Sequence, residues 1–173
     1  MDGLAGPLFI AAALLVAAGV PKVTEPGDTA RAMRSVGLPT SELFVRILAV
    51  AEVSIGLAVI AIGGPIPSLL LGLIYLGFAG YIILAMSKGG SIASCGCFGK
   101  ADTPPTYGHL LLNIAAGTVG IIGAIGDPPD AVALLGDQPA FGVPFVAFVL
   151  LGAWLGYLTL TLLPQLQTAK RST

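Results

Sequence analysis

Two thiols and a glycine between them are the residues best equipped for chemistry in this chain: the run Ser94-Cys-Gly-Cys-Phe-Gly99 is followed at once by Lys100. A disulfide between Cys95 and Cys97 closes only a small ring, and a bond held in tight geometry stores strain and is easily reduced. Gly96 supplies the backbone freedom that closure needs. Lys100 favours the thiolate, the form that attacks disulfides and binds metals, and it lies nearer Cys97 than Cys95 in the chain. These residue types at this spacing point to thiol–disulfide exchange, in which one thiolate attacks a partner disulfide and its neighbour resolves the mixed disulfide. The same thiols are also suited to a soft ion such as Hg(II) or Cu(I). Tetrahedral zinc would need two more ligands, for which His109 and Asp102 are the nearby candidates. The plainest alternative is a pair of ordinary thiols in a turn-prone loop.

Glu52 is the next residue that demands a reason. It falls near the middle of a long apolar stretch, where an ionised side chain costs a few kcal/mol even on insertion-based scales, roughly 3. Such a group faces the interior of a bundle and is paired or protonated. It is either one half of an internal ion pair, with Arg46 or Lys22 reaching in, or a proton donor and acceptor for a buried redox or transport event. Asn113 is expected to tie helices together. Arg46 reads as an interface anchor, His109 as a marker of the membrane interface without a chemical role, and Trp154 as a packing or lipid-facing residue.

The elements that must hold these residues follow from composition. Of 173 residues, 55% are hydrophobic and 10% charged, and the mean hydropathy is +0.94. A soluble domain carries about a quarter charged residues, so a soluble enzyme and a disordered chain are both excluded. Eight basic residues against a net charge of -1 exclude a nucleic-acid face. About 20 apolar residues cross the hydrocarbon core as a helix, and the stretches 4–20, 44–62, 66–86, 110–125 and 143–163 meet that length. The first lacks the basic lead of a cleaved signal and is expected to stay as a span. The fold class is therefore all-α, a polytopic membrane bundle in a single domain.

Between the spans, the polar segment 22–42 is expected to carry a short interfacial helix over 28–36. Gly63-Gly-Pro-Ile-Pro67 makes a tight turn. The loop 87–109 holds both cysteines, an acidic loop covers 126–142, and 165–173 is a polar tail. Gly117, Gly120 and Gly123, and then Gly152 and Gly156, recur at helical spacing. They suit close packing inside the bundle, with a homodimer seam as the alternative.

Five spans sort every basic residue to one face: Lys22, Arg31, Arg34, Lys88, Lys100, Lys170 and Arg171, with Arg46 just inside. The other face has Asp2, Asp127, Asp130 and Asp137. The positive-inside rule then predicts an outside N-terminus, an inside C-terminus and a cysteine loop at the cytoplasmic face. High Gly and Ala content without an organelle-type presequence suggests a bacterial plasma membrane.

The Ser94–Gly99 run after a hydrophobic span resembles the signature of the methylamine-utilisation MauE family. Gly19-x-x-Lys22, Gly37-Leu-Pro39, Arg46 and Ala51-Glu52-x-x-x-Gly56 resemble the broader DoxX-like membrane fold. The likeness runs from Leu4 to about Ile125, and the last span matches only in hydropathy. It implies a DoxX-like four-helix core plus a C-terminal span, associated with redox chemistry. It also implies service to disulfide formation or electron supply for an exported, cysteine-rich dehydrogenase subunit, alongside a thioredoxin-like partner. Carried over, Cys95 and Cys97 become the exchanging pair and Glu52 the membrane acid of the core. Exported substrates place the thiols outside, while the charge count places them inside; a re-entrant loop or a cytoplasmic thiol partner reconciles the two. One pair cannot relay across a bilayer alone, so a quinone or another thiol protein is the expected second partner. A soft-metal carrier and a non-catalytic assembly subunit of a membrane redox complex are the other functions open to such a chain.

Overall fold

The structure, a computed structural model, describes residues 2–88, 106–126, 128–137 and 139–171. A 3-10 turn, Asp2–Leu4, precedes seven helices: α1 Ala5–Thr24, α2 Gly27–Ser35, α3 Glu42–Ala61, α4 Pro65–Ser87, α5 Tyr107–Gly126, α6 Ala131–Asp137 and α7 Pro139–Arg171. Helices α1, α3, α4 and α5 and the Gly142–Leu162 part of α7 are long and apolar enough to cross a membrane. These are the five expected spans. Large apolar side chains such as Leu43, Ile62, Ile66, Leu111, Ile125 and Leu150 stand outward, which a lipid surround accepts and water does not.

Boundaries differ from expectation at α1, in the acidic link and at α7, which begins at Pro139 and runs on to Arg171 through the expected polar tail. Helix α1 continues through Pro21 to Thr24, so Lys22 belongs to the helix and not to a loop. A proline this close to a helix end disturbs only the last turn, and Glu25 N–H still closes on the Pro21 carbonyl at 2.8 Å. The acidic link also holds α6, whose first turn is capped by Asp130: its Oδ1 accepts the Ala133 N–H at 2.7 Å. The expected short helix is present as α2, with Arg31 paired to Asp28 and Arg34 donating to the Thr40 carbonyl at 3.0 Å. Ser41 then caps α3 by accepting from Phe44 N–H.

Glycine sets the packing. Helix α1 is the centre of the bundle: 56% of its span is buried, against 11% for α7. It meets α3 where a Cβ on Gly19 would lie 3.0 Å from the Ala49 carbonyl and one on Gly56 would lie 2.7 Å from the Ala12 carbonyl. Helices α4 and α5 approach as closely, since a Cβ on Gly120 would fall 2.6 Å from the Gly72 Cα. In lipid, where burying apolar surface drives little, such backbone proximity gains dispersion contact. Helix α7 lies on α1, with Gly152 against Ile10 and Gly156 against Leu14, and the Phe9 and Phe145 rings meet edge to face at 5.8 Å. The small-residue faces read from the sequence are thus used within the chain.

The α3–α4 turn places Gly63 and Gly64 at φ of 65° and 80°, a region L side chains avoid. Gly64 N–H donates to the Pro128 carbonyl at 2.9 Å, tying this turn to the α5–α6 link. At the other end of the bundle lie α2, the start of α3 and the end of α4, and an added Cβ on Gly37 would come 3.9 Å from Lys88 Nζ.

Candidate functional site

A seam built on glycine brings opposite charges together in the apolar interior. Gly19 and Gly56 let the α1 and α3 backbones close up, and Lys22, one turn beyond Gly19, reaches Glu52, one turn before Gly56. Lys22 Nζ donates to both carboxylate oxygens of Glu52, at 3.0 and 2.9 Å. The side chains are 3% and 0% exposed. The Phe78 ring of α4 closes over the ammonium, 4.9 Å from Nζ to the ring centroid, an arrangement in which the ring quadrupole favours the cation. Of the two partners expected for Glu52, the structure selects Lys22; Arg46 is exposed on the outer face of α3. The Gly19-x-x-Lys22 and Glu52-x-x-x-Gly56 patterns are thus two halves of one contact.

Aromatic and amide groups extend this polar centre. Tyr75, buried on α4, donates its hydroxyl to the Ala11 carbonyl at 2.7 Å, and its ring meets Phe78 edge-on at 6.5 Å. His109, expected to mark the membrane interface, stands in the first turn of α5 and is 1% exposed. Its Nδ1 shares a 2.8 Å hydrogen bond with Thr106 Oγ1, and Asn113 Nδ2 donates to the His109 carbonyl at 2.7 Å. Its burial has a local cause: His109, Asn113, Ala116, Gly120 and Gly123 recur every three or four residues and are all buried, so the helix turns His109 inward with the rest of that face. Asn113 satisfies a carbonyl on its own helix, not the neighbouring helix it was expected to bridge. Trp154 is exposed on α7 and stacks on Tyr157 at 6.1 Å.

Among the described residues, two cavities flank Lys22. The larger, about 370 Å³, is lined by Lys22, Thr29, Met33, Phe44, Phe78 and Tyr81, among others, and so lies between α1, α2, α3 and α4. The smaller, about 30 Å³, is lined by Lys22, Tyr75, His109 and Asn113 among others. It has room for about one water molecule and several polar groups to hold it. A chain of polar groups therefore runs from Thr106 and His109 at the start of α5, past this small space, to the Lys22–Glu52 pair and the larger cavity.

Cys95, Cys97 and Lys100, together with Asp102, lie outside the described residues. Their segment is tethered at Lys88, the end of α4, and at Thr106, where α5 begins. Both tethers stand at the end of the bundle where α2 packs and where the two cavities lie. Among the described residues no group of three His, Cys, Asp or Glu side chains could hold a metal ion. Sequence reasoning missed His109 and Tyr75 as parts of the polar centre; the helical spacing of His109 with Asn113 and the glycines was the available signal.

The family model described as Methylamine utilisation protein MauE matches residues 3–126, well over half of the chain and all four of α1, α3, α4 and α5. No curated protein and no solved structure matches the chain.

Proposed function

The chain belongs to the MauE family, and we propose that this multi-pass membrane protein exchanges electrons through its Cys95–Cys97 pair with a thioredoxin-like protein. The pair cycles between dithiol and disulfide, and a lipid-soluble quinone or a second thiol protein meets it as the other partner. One observation carries the reading: the two cysteines of the chain, separated by one glycine and followed by Lys100, are tethered at the end of the bundle that holds the buried Lys22–Glu52 pair. A tether from Lys88 to Cys97 is short enough to keep the thiols within about 30 Å of that end. Arg31, Arg34, Arg46 and Lys88 are exposed there, which supports a cytoplasmic setting in a bacterial plasma membrane.

The exchange proceeds by thiolate attack on the partner disulfide; one sulfur–sulfur bond forms as another breaks, and the second cysteine then displaces the partner's thiolate. The variants Cys95→Ser and Cys97→Ser test this. One of them, lacking the resolving thiol, is expected to accumulate a reductant-sensitive mixed disulfide with a thioredoxin-like protein, while the double variant accumulates none. Full function of Cys95→Ser/Cys97→Ser in cells would leave an assembly role in its place. Protection of both thiols from alkylation by Hg(II) or Cu(I) at low concentration, without any mixed disulfide, would make the chain a soft-metal carrier.

A further inference from the structure

We infer that the cavity of about 370 Å³ beside Lys22 binds the ring of a lipid-soluble quinone, with Lys22 and Tyr81 as hydrogen-bond donors to its carbonyl oxygens. The inference names the second partner of the proposed thiol exchange and rests on that reading for its redox half, not for its binding half.

Three observations converge on a flat, apolar ligand with carbonyl acceptors. The first is shape and lining: the volume falls in the usual range for small-molecule sites, about 300–1,000 Å³, and Phe44, Phe78 and Tyr81 supply aromatic walls. Phe44, Gly77 and Gly80 of the lining are exposed on helices α3 and α4, which are long and apolar enough to cross a membrane, so the proposed ligand enters from the bilayer.

The second is polarity. Lys22 is the charged residue of the lining, held in place by Glu52, and an ammonium has three donors for the two carboxylate oxygens it already meets. Tyr81 also lines the cavity; its hydroxyl, enclosed and with no hydrogen-bond partner among the described residues, turns toward a ligand by rotation of the side chain. A buried hydroxyl without an acceptor is uncommon in folded proteins and marks a place where something is missing. A quinone carbonyl is an acceptor that brings no charge into lipid; an alkyl chain offers none.

The third is the pair of glycines. A Cβ on Gly77 or Gly80 would meet nothing within 4 Å, whereas a Cβ on Gly72 of the same helix would come 2.9 Å from the Ile121 backbone nitrogen. Gly72 serves helix packing. Gly77 and Gly80 serve no neighbour among the described residues, and each weakens the helix by about 1 kcal/mol relative to alanine. What they do is keep the cavity wall low.

The cycle closes when the exchange with the thioredoxin-like protein runs in the reverse direction, its dithiol reducing the Cys95–Cys97 disulfide before the quinone reoxidises the pair. The Cys95–Cys97 dithiol loses two electrons and two protons and becomes the disulfide; the quinone gains both and becomes the quinol. The polar groups from Thr106 and His109 to Lys22 offer protons a way between the thiol-bearing segment and the cavity.

The test uses the full chain in detergent with a photoactivatable azido-benzoquinone bearing a decyl tail. Label is expected on peptides of α2 and α4, displaced by unlabelled decyl-benzoquinone. The variant Gly77→Leu/Gly80→Leu fills the space without displacing a neighbour, so its melting midpoint should match or exceed the parent while labelling falls at least tenfold. Tyr81→Phe keeps the shape and removes one donor, and should weaken binding about fivefold. Labelling that is unchanged in the leucine variant, or displaced by phosphatidylglycerol and not by quinone, would overturn the inference. The two readings fail separately. If Cys95→Ser or Cys97→Ser traps a protein partner but no quinone labels the cavity, the inference falls and thiol exchange stands. If quinone labels the cavity while the cysteines stay inert to every disulfide, the thiol reading falls and the site stands.

Discussion

Removing one partner of the buried Lys22–Glu52 pair is the perturbation whose size can be worked from the geometry. At a separation of 2.9 Å and an effective dielectric constant near 20, the attraction is about 6 kcal/mol. Placing each charge in the hydrocarbon core costs roughly 3 kcal/mol on insertion-based scales, so the two together cost about as much as the pair returns. The pair is therefore close to neutral as a unit and expensive to halve. Lys22→Met or Glu52→Met alone leaves an uncompensated charge with 0–3% exposure and should cost about 3–5 kcal/mol. The double variant Lys22→Met/Glu52→Met fills the same space with adaptable side chains and should lie within about 2 kcal/mol of the parent. In thermal unfolding of the detergent-solubilised protein, the single variants should melt on the order of 10 °C lower and the double variant should recover most of that loss. Additive losses, with a coupling below about 1 kcal/mol in the double-mutant cycle, would refute the reasoning; so would single variants as stable as the parent.

Other expectations follow from particular contacts. Gly120→Leu drives a side chain into the Gly72 backbone, 2.6 Å from its Cα, and should separate α4 from α5 at a cost of about 3 kcal/mol or more, read as loss of the folded species in size-exclusion and melting profiles. Tyr75→Phe removes the 2.7 Å bond to the Ala11 carbonyl and should cost about 1 kcal/mol in denaturant midpoint. Gly63→Ala must hold φ at 65° with its Cβ 2.8 Å from the Pro128 carbonyl; an αL penalty of about 1–2 kcal/mol plus the clash should lower the melting midpoint measurably. A membrane-impermeant maleimide added to spheroplasts should spare Cys95 and Cys97 and label them in inverted vesicles; the opposite pattern would reverse the proposed orientation.

The spans were legible because lipid leaves a chain few choices: backbone groups must bond within the helix, and length is fixed by bilayer thickness. Composition therefore carried the fold class and the existence of each span. The end of α1 was not legible. Pro21 and Lys22 are ordinary signals of a helix leaving the membrane, and only the partner on α3 explains why the helix runs on with a lysine inside. Glu52 announced itself by its cost in an apolar stretch, and its two candidate partners were on the page. The choice between them rests on Gly19 and Gly56, whose role appears only when two helices are laid side by side. The burial of His109 was not legible because a lone histidine near a span end suits an exposed position equally well; its helical register with Asn113 and Gly120 turns it inward. Helix α6 was hidden in a short acidic segment too brief for hydrophobic periodicity to register. The thiol pair was the most visible chemistry in the sequence, and it is the part that biochemistry must now address.

The most direct measurement is the redox state of Cys95 and Cys97 by sequential alkylation. Membranes are blocked with a light maleimide, reduced, labelled with a heavy one and weighed as intact protein. Reversible exchange predicts two heavy labels after exposure to an oxidised thioredoxin-like protein or to decyl-benzoquinone, and two light labels after reduction, the two sulfurs switching together. Two light labels under every condition would contradict the account.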